Sequence, residues 1–170
     1  MIRLIKIFIW IISAYKWGHW RDWRNYYSTI LFGVTGELIY FVLTYNHPLW
    51  ELTSPIMNVT FNHLITDLLT FPAMGLLFLS NYPKSKPRSE RGLYLFFWLV
   101  GAGIIELVMS MLGYYKYSNG WNVWWSTAFD LVFLPMMIIH QKYPPMAWVI
   151  ALILGTTIFL SFQIPISQMK

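Results

Sequence analysis

Six apolar blocks separated by short polar loops constrain this chain more than any other feature. They cover roughly residues 2–15, 26–45, 58–80, 93–115, 121–139 and 146–162. A helix needs about 17–25 apolar residues to cross a bilayer, and every block but the first reaches that length. In lipid, every backbone N–H and C=O must be paired within the protein, so only helices and closed barrels can span. A barrel strand alternates apolar and polar residues, whereas these blocks are unbroken, so helices are expected. The expected fold class is all-α, a polytopic transmembrane bundle of about six helices that forms one integral membrane domain over residues 1–170. Composition agrees: 57% of residues are hydrophobic and only 11% charged, against about 25% charged in a soluble domain.

The first block is the weakest. It is short and carries Arg3 and Lys6 at its start, like the apolar region of a signal peptide. Ser13-Ala14-Tyr15 nevertheless runs into Lys16-Trp17 without a small-residue cleavage site. A retained helix, tilted or lying in the interface, is the favoured expectation.

Basic residues set the expected orientation. The short stretch of residues 84–91 carries Lys84, Lys86, Arg88 and Arg91, which marks it as cytoplasmic. Alternation then places Lys16, Arg21, Arg24 and Lys142 on the same side, and Arg3, Lys6, Lys116 and Lys170 outside. Trp50, Trp121, Trp124 and Trp125 fall at the outer interface, with Trp17, Trp20 and Trp23 at the inner one, as aromatic belts do. The formal charge of +5 is therefore a topology signal rather than a nucleic-acid footprint, and no nucleic-acid partner is expected. The absence of Cys excludes disulfides, thiolate metal sites and a cysteine nucleophile.

Four of the seven acidic residues lie inside the apolar blocks: Glu37, Asp67, Glu106 and Asp130. Four of the six blocks hold one each, without a Lys or Arg beside it. Ionisable groups at membrane depth are costly, and an unpaired one marks a functional site by default. Counted from the expected outer ends at about 1.5 Å per helical residue, all four carboxyls lie roughly 12–14 Å deep. A shared depth is what a common site requires. Asn, Gln or Ser would glue helices together at lower cost, so the cluster is expected to share protons or hold a cation, titrating as a coupled set.

Neighbours at helical spacing extend each acid outward. Glu37, Tyr40 and Thr44 share one helix face, as do Glu106 and Ser110, His63 and Asp67, and Asn122, Ser126 and Asp130. The candidate binding residues are thus Glu37, Tyr40, His63, Asp67, Glu106, Ser110, Asn122, Ser126 and Asp130, converging on a cleft that opens outward past Asn122 and Tyr40. His63 has two readings: a hydrogen-bonded packing residue, or an imidazole oriented by Asp67 as acid, base or ligand. His47 sits at the outer rim, whereas His19 and His140 belong to the other side. Two outer His and several carboxyls would suffice for zinc, but no His-Glu-x-x-His spacing is present, so neither a metal nor another cofactor is assigned. Nucleophile-elbow, Walker and dinucleotide motifs are likewise absent.

Pro72 and Pro135 each follow an acid by five residues, Asp67 and Asp130. Each removes an N–H and clashes with the carbonyl four residues back, offering a free backbone oxygen near the acid. The parallel, with Glu37-Leu38-Ile39 against Glu106-Leu107-Val108, hints at a duplication of blocks two and three in four and five.

The stretch Tyr26-Tyr27-Ser28-Thr29-Ile30-Leu31-Phe32, with Gly36-Glu37-Leu38-Ile39-Tyr40 and His47-Pro48-Leu49-Trp50, forms one motif block. Asn119-Gly120-Trp121-Asn122-Val123-Trp124-Trp125-Ser126 with Asp130 forms a second. Both resemble an uncharacterised family of small multi-pass membrane proteins of Gram-positive spore-forming bacteria. The resemblance covers most of the chain beyond the first block. It implies an integral protein of the plasma membrane and names no catalytic residue.

Three functions remain open at this point. The first is binding or transport, through an outward-facing acidic cleft for protons plus a small cation or amine-bearing solute. The second is an intramembrane enzyme acting on lipid head groups or lipid-linked sugars, with His63 and Asp67 as the candidate catalytic pair. The third is an accessory subunit whose acids meet basic residues of a partner protein.

Overall fold

The computed structural model describes residues 2–54 and 57–169. The helices are α1 (Ile2–Trp17), α2 (Arg24–Leu43), α3 (Val59–Ile65), α4 (Phe71–Asn81), α5 (Arg88–Met111), α6 (Val123–Lys142) and α7 (Pro144–Ser161). A π-helical turn, Thr66–Thr70, joins α3 to α4, so that Val59–Asn81 is one continuous rod. The result is the expected all-α bundle of six rods. Five of them (α2, Val59–Asn81, α5, α6 and α7) are long and apolar enough to cross a membrane. Their outer faces require lipid: no residue of α5 is buried, and Phe96, Phe97, Ile104 and Val108 stand exposed along it. This is a membrane protein.

Local sequence explains the rod ends. Asn58 caps α3 by accepting the Phe61 N–H at 2.7 Å, and Asn122 caps α6 by accepting from Trp124 and Trp125. Pro144 and Pro145 open α7, where a missing N–H costs nothing. Pro72 and Pro135 behave differently from each other. The first follows a π turn that absorbs its clash, and the second lies within the uninterrupted helix α6.

Five rods form a ring. α1 packs on α4, α4 on α2, α2 on α6, and α6 on α5. Stacking of Trp10 on Trp98 (6.2 Å between centroids) and of Phe78 on Tyr94 (5.8 Å) closes α5 back onto α1 and α4. α7 lies outside the ring against α6. α1 is therefore a full member of the wall, although at 16 residues it is the shortest of the six rods.

The basic loop between α4 and α5 marks one end of the ring, here the basic end. Towards it the interior is solid: Ile30, Phe32 and Val34 of α2 pack with Phe71, Phe78 and Leu79 of α4 and Phe133, Met136 and Met137 of α6. Gly33 is the tightest point of this plug. A Cβ there would lie 2.5 Å from the Phe71 ring and 3.3 Å from Met137 Sδ. Gly33→Leu is expected to destabilise the protein by about 1–3 kcal/mol through overpacking. Thermal unfolding in detergent checks this, and a second change, Phe71→Ala, is expected to recover part of the loss.

Two short strands, absent from the all-helical expectation, close the opposite end. β1 (Trp50–Leu52) and β2 (Tyr115–Tyr117) come from the two long loops and pair antiparallel, with Trp50 opposite Tyr117, Glu51 opposite Lys116 and Leu52 opposite Tyr115. Gly113 and Gly120, both at positive φ, bracket β2 and turn the chain into and out of the ladder. Alternation along a strand puts Glu51 and Lys116 on one face and the aromatic and leucine side chains on the other. Leu49 and Leu52 are fully buried, and Leu49 packs with Trp121 and Ile164. The ladder is a cap.

Candidate functional site

Between plug and cap the ring holds its acids. Glu37 of α2 lies close enough to Asp67, Asp130 and Glu106 to feel the charge of each, and Asp130 feels Glu106. Four different rods thus contribute to one layer. Asp67 is nearly sealed, at 3% exposure, whereas Glu37, Glu106 and Asp130 are half-buried.

The cap supplies the roof. Tyr117 Oη donates to Glu106 Oε1 at 2.7 Å, and the hydroxyls of Ser110 and Ser126 lie alongside it. Burial, then the Glu106 carboxylate, holds the Tyr117 hydroxyl above its ordinary titration range, so it stays a donor. Tyr115 is shifted in the same direction, by burial first and then by Glu106, and it also feels Glu37 and Asp130. Trp121 Nε1 donates to Ser126 Oγ at 2.9 Å, tying the start of α6 to the same group.

Tyr40 holds the cap down. Its hydroxyl accepts the N–H groups of Leu49 (3.1 Å) and Trp50 (3.0 Å) and donates to Trp50 O, while its ring stacks on Trp50 at 5.1 Å. Thr44 bonds back to the Tyr40 carbonyl rather than facing the acids. The expected opening past Asn122 and Tyr40 is therefore not the arrangement seen. Tyr40 is engaged by the cap backbone, and Asn122 is exposed and caps its own helix.

The contacts of His63 fit the packing one of its two readings. Its Nε2 accepts the Leu52 N–H at 3.3 Å, and its ring lies against Phe41 and Trp50. The neighbouring Asn62 donates to Leu52 O at 2.9 Å, so the two residues together satisfy the free backbone N–H and C=O of Leu52 in β1. A π turn begins at Thr66, between His63 and Asp67. Among the described residues, no three His, Asp or Glu side chains gather closely enough to share a metal ion. His140, away from the site, accepts or donates to Thr29 Oγ1 at 2.9 Å and stacks on Phe32.

Lys6, assigned to the outer side by the charge rule alone, is a neighbour of this layer. It is buried, and its ammonium lies 4.8 Å from the Tyr114 ring centre and 5.6 Å from that of Tyr115. Tyr115 thus lies near both a lysine of α1 and the carboxylates. Trp50-Glu51-Leu52 and Tyr115-Lys116-Tyr117 each alternate apolar, charged, apolar, a pattern too short to mark a strand by itself.

No family model, curated protein or solved structure matches the chain.

Proposed function

We propose that the chain is a plasma-membrane protein that binds or transports a small cation or amine-bearing solute, exchanged against protons in the acidic layer. One observation carries this reading: Glu37 sits within the field of three other carboxyls under a roof of Tyr40, Trp50, Tyr115 and Tyr117. Negative charge beneath aromatic faces is the chemistry that recognises an ammonium group. The plug around Gly33 and Phe71 seals the other side, which makes this conformation a closed one, with access through the cap. The bond from Leu52 to His63 weighs against the lipid-cleaving alternative, because it occupies one of the two imidazole nitrogens. Membership of the small multi-pass family of spore-forming bacteria is part of the same proposal.

Calorimetry on protein in lipid nanodiscs tests the ligand chemistry. n-Butylammonium is expected to bind saturably, and n-butanol, its uncharged counterpart, to show no binding. Equal binding of the two would overturn the proposal. Orientation is tested separately with Ser89→Cys, since the native chain has no Cys. An impermeant thiol reagent is expected to label that position only after the cells are opened. Labelling in intact cells would place the basic end outside.

A further inference from the structure

Thr66, Asp67 and Thr70 share the π turn between α3 and α4, and each carries a buried side-chain oxygen with no hydrogen-bond partner among the described residues: Thr66 Oγ1, Asp67 Oδ2 and Thr70 Oγ1. Asp67 and Thr70 are 3% and 4% exposed, while Leu68 and Leu69 of the same turn face outward. Three unanswered oxygens in one buried turn are costly, since each forgoes the water it would bond when unfolded. The backbone adds a fourth donor. The Phe71 N–H closes the turn on Thr66 O, and the next residue, Pro72, has no N–H for the carbonyl that follows.

We propose that this turn is a binding site for a single alkali cation of the sodium class. The ligands would be the Asp67 carboxylate and the Thr66 and Thr70 hydroxyls. Hard oxygen donors suit such an ion, and one carboxylate balances one positive charge without leaving net charge buried. A divalent ion fits less well, because among the described residues no two further acids or histidines join Asp67 closely enough to share an ion. π turns inside α-helices recur at functional sites, because the widened turn frees groups that a regular helix would occupy. The inference deepens the cation-binding proposal and rests on it: the ion would sit beside Glu37, inside the same acidic layer.

The test compares thermal unfolding of the full-length protein in sodium chloride and in caesium chloride, whose ion is far larger and carries no ammonium group, at equal ionic strength. A ligand that binds only the folded state raises Tm with concentration, and about a tenfold excess over Kd gives a shift of roughly 3–5 °C at this size. The wild type is expected to show that saturable shift, together with stoichiometric retention of ²²Na⁺. Thr70→Val is expected to abolish both, and Thr70→Ser, which keeps the hydroxyl, to preserve them. Asp67→Asn is expected to behave like Thr70→Val. Indistinguishable Tm values in the two salts, or a shift that survives Thr70→Val, would overturn the site. If sodium has no effect while n-butylammonium still binds, the turn falls and the wider proposal stands. If neither ligand binds, both fall.

Discussion

Glu37→Gln is expected to weaken n-butylammonium binding at least about 30-fold, with little change in Tm. Glu37 is the residue that feels all three other acids, so it lies nearest the centre of their combined field. Removing one partner of a buried charge pair costs about 2–5 kcal/mol, and the low end of that range already corresponds to roughly 30-fold in Kd. Gln keeps the shape and hydrogen-bonding reach of Glu, so the loss would report charge rather than packing. Folding should survive the change because no salt bridge is removed: among the described residues, the one ion pair is Lys86–Glu90 on the surface of the basic end. Calorimetric titration of the variant beside the wild type measures it. An unchanged Kd would mean that Glu37 is a protonated packing residue and nothing more.

Locking the cap is expected to slow ligand exchange by two orders of magnitude or more. Glu51 and Lys116 lie directly opposite each other on the face of the ladder away from the acids. Directly paired residues of an antiparallel ladder have Cα atoms about 5.5 Å apart, within disulfide reach. Glu51→Cys together with Lys116→Cys therefore places a reversible bolt across the two loops, in a chain with no other thiol. With the plug packed shut around Gly33, the cap is the remaining way in, so oxidation should trap or exclude n-butylammonium and a reductant should restore exchange. Stopped-flow exchange in both redox states reads the effect. Identical rates would show that ligand enters between helices from the lipid, or not at all.

The rods and their acids could be read from the chain because both follow from a solvent argument that involves no neighbours. A bilayer demands about 17–25 apolar residues per helix and penalises any carboxyl within one, so α2, α5, α6 and α7 stand out with Glu37, Glu106 and Asp130 inside or beside them. The features that escaped depend on partners distant in sequence. β1 and β2 exist only because two loops 65 residues apart meet over the ring, and three-residue strands carry almost no signal alone. Lys6 was placed outside by a charge rule that assigns sides of a membrane and says nothing about which ring a flexible side chain will cover. Pro72 was expected to act as Pro135 does. The difference lies in the π turn, a segment on which α1 and α2 pack and which no local pattern announces. His63 and Asn122 have the residue types of a site, yet their side chains serve the backbone of Leu52 and the first turn of α6.

The account stands on four carboxyls acting as one site, and a double-mutant cycle tests that most directly. The Kd of n-butylammonium would be measured for the wild type, Glu37→Gln, Asp130→Asn and the double variant. Groups that serve one ligand are non-additive, whereas independent sites add to within about 0.5 kcal/mol. The predicted result is a double variant binding no more than a few-fold more weakly than the worse single one. Strict additivity, or single variants that both bind as the wild type does, would contradict a shared acidic layer.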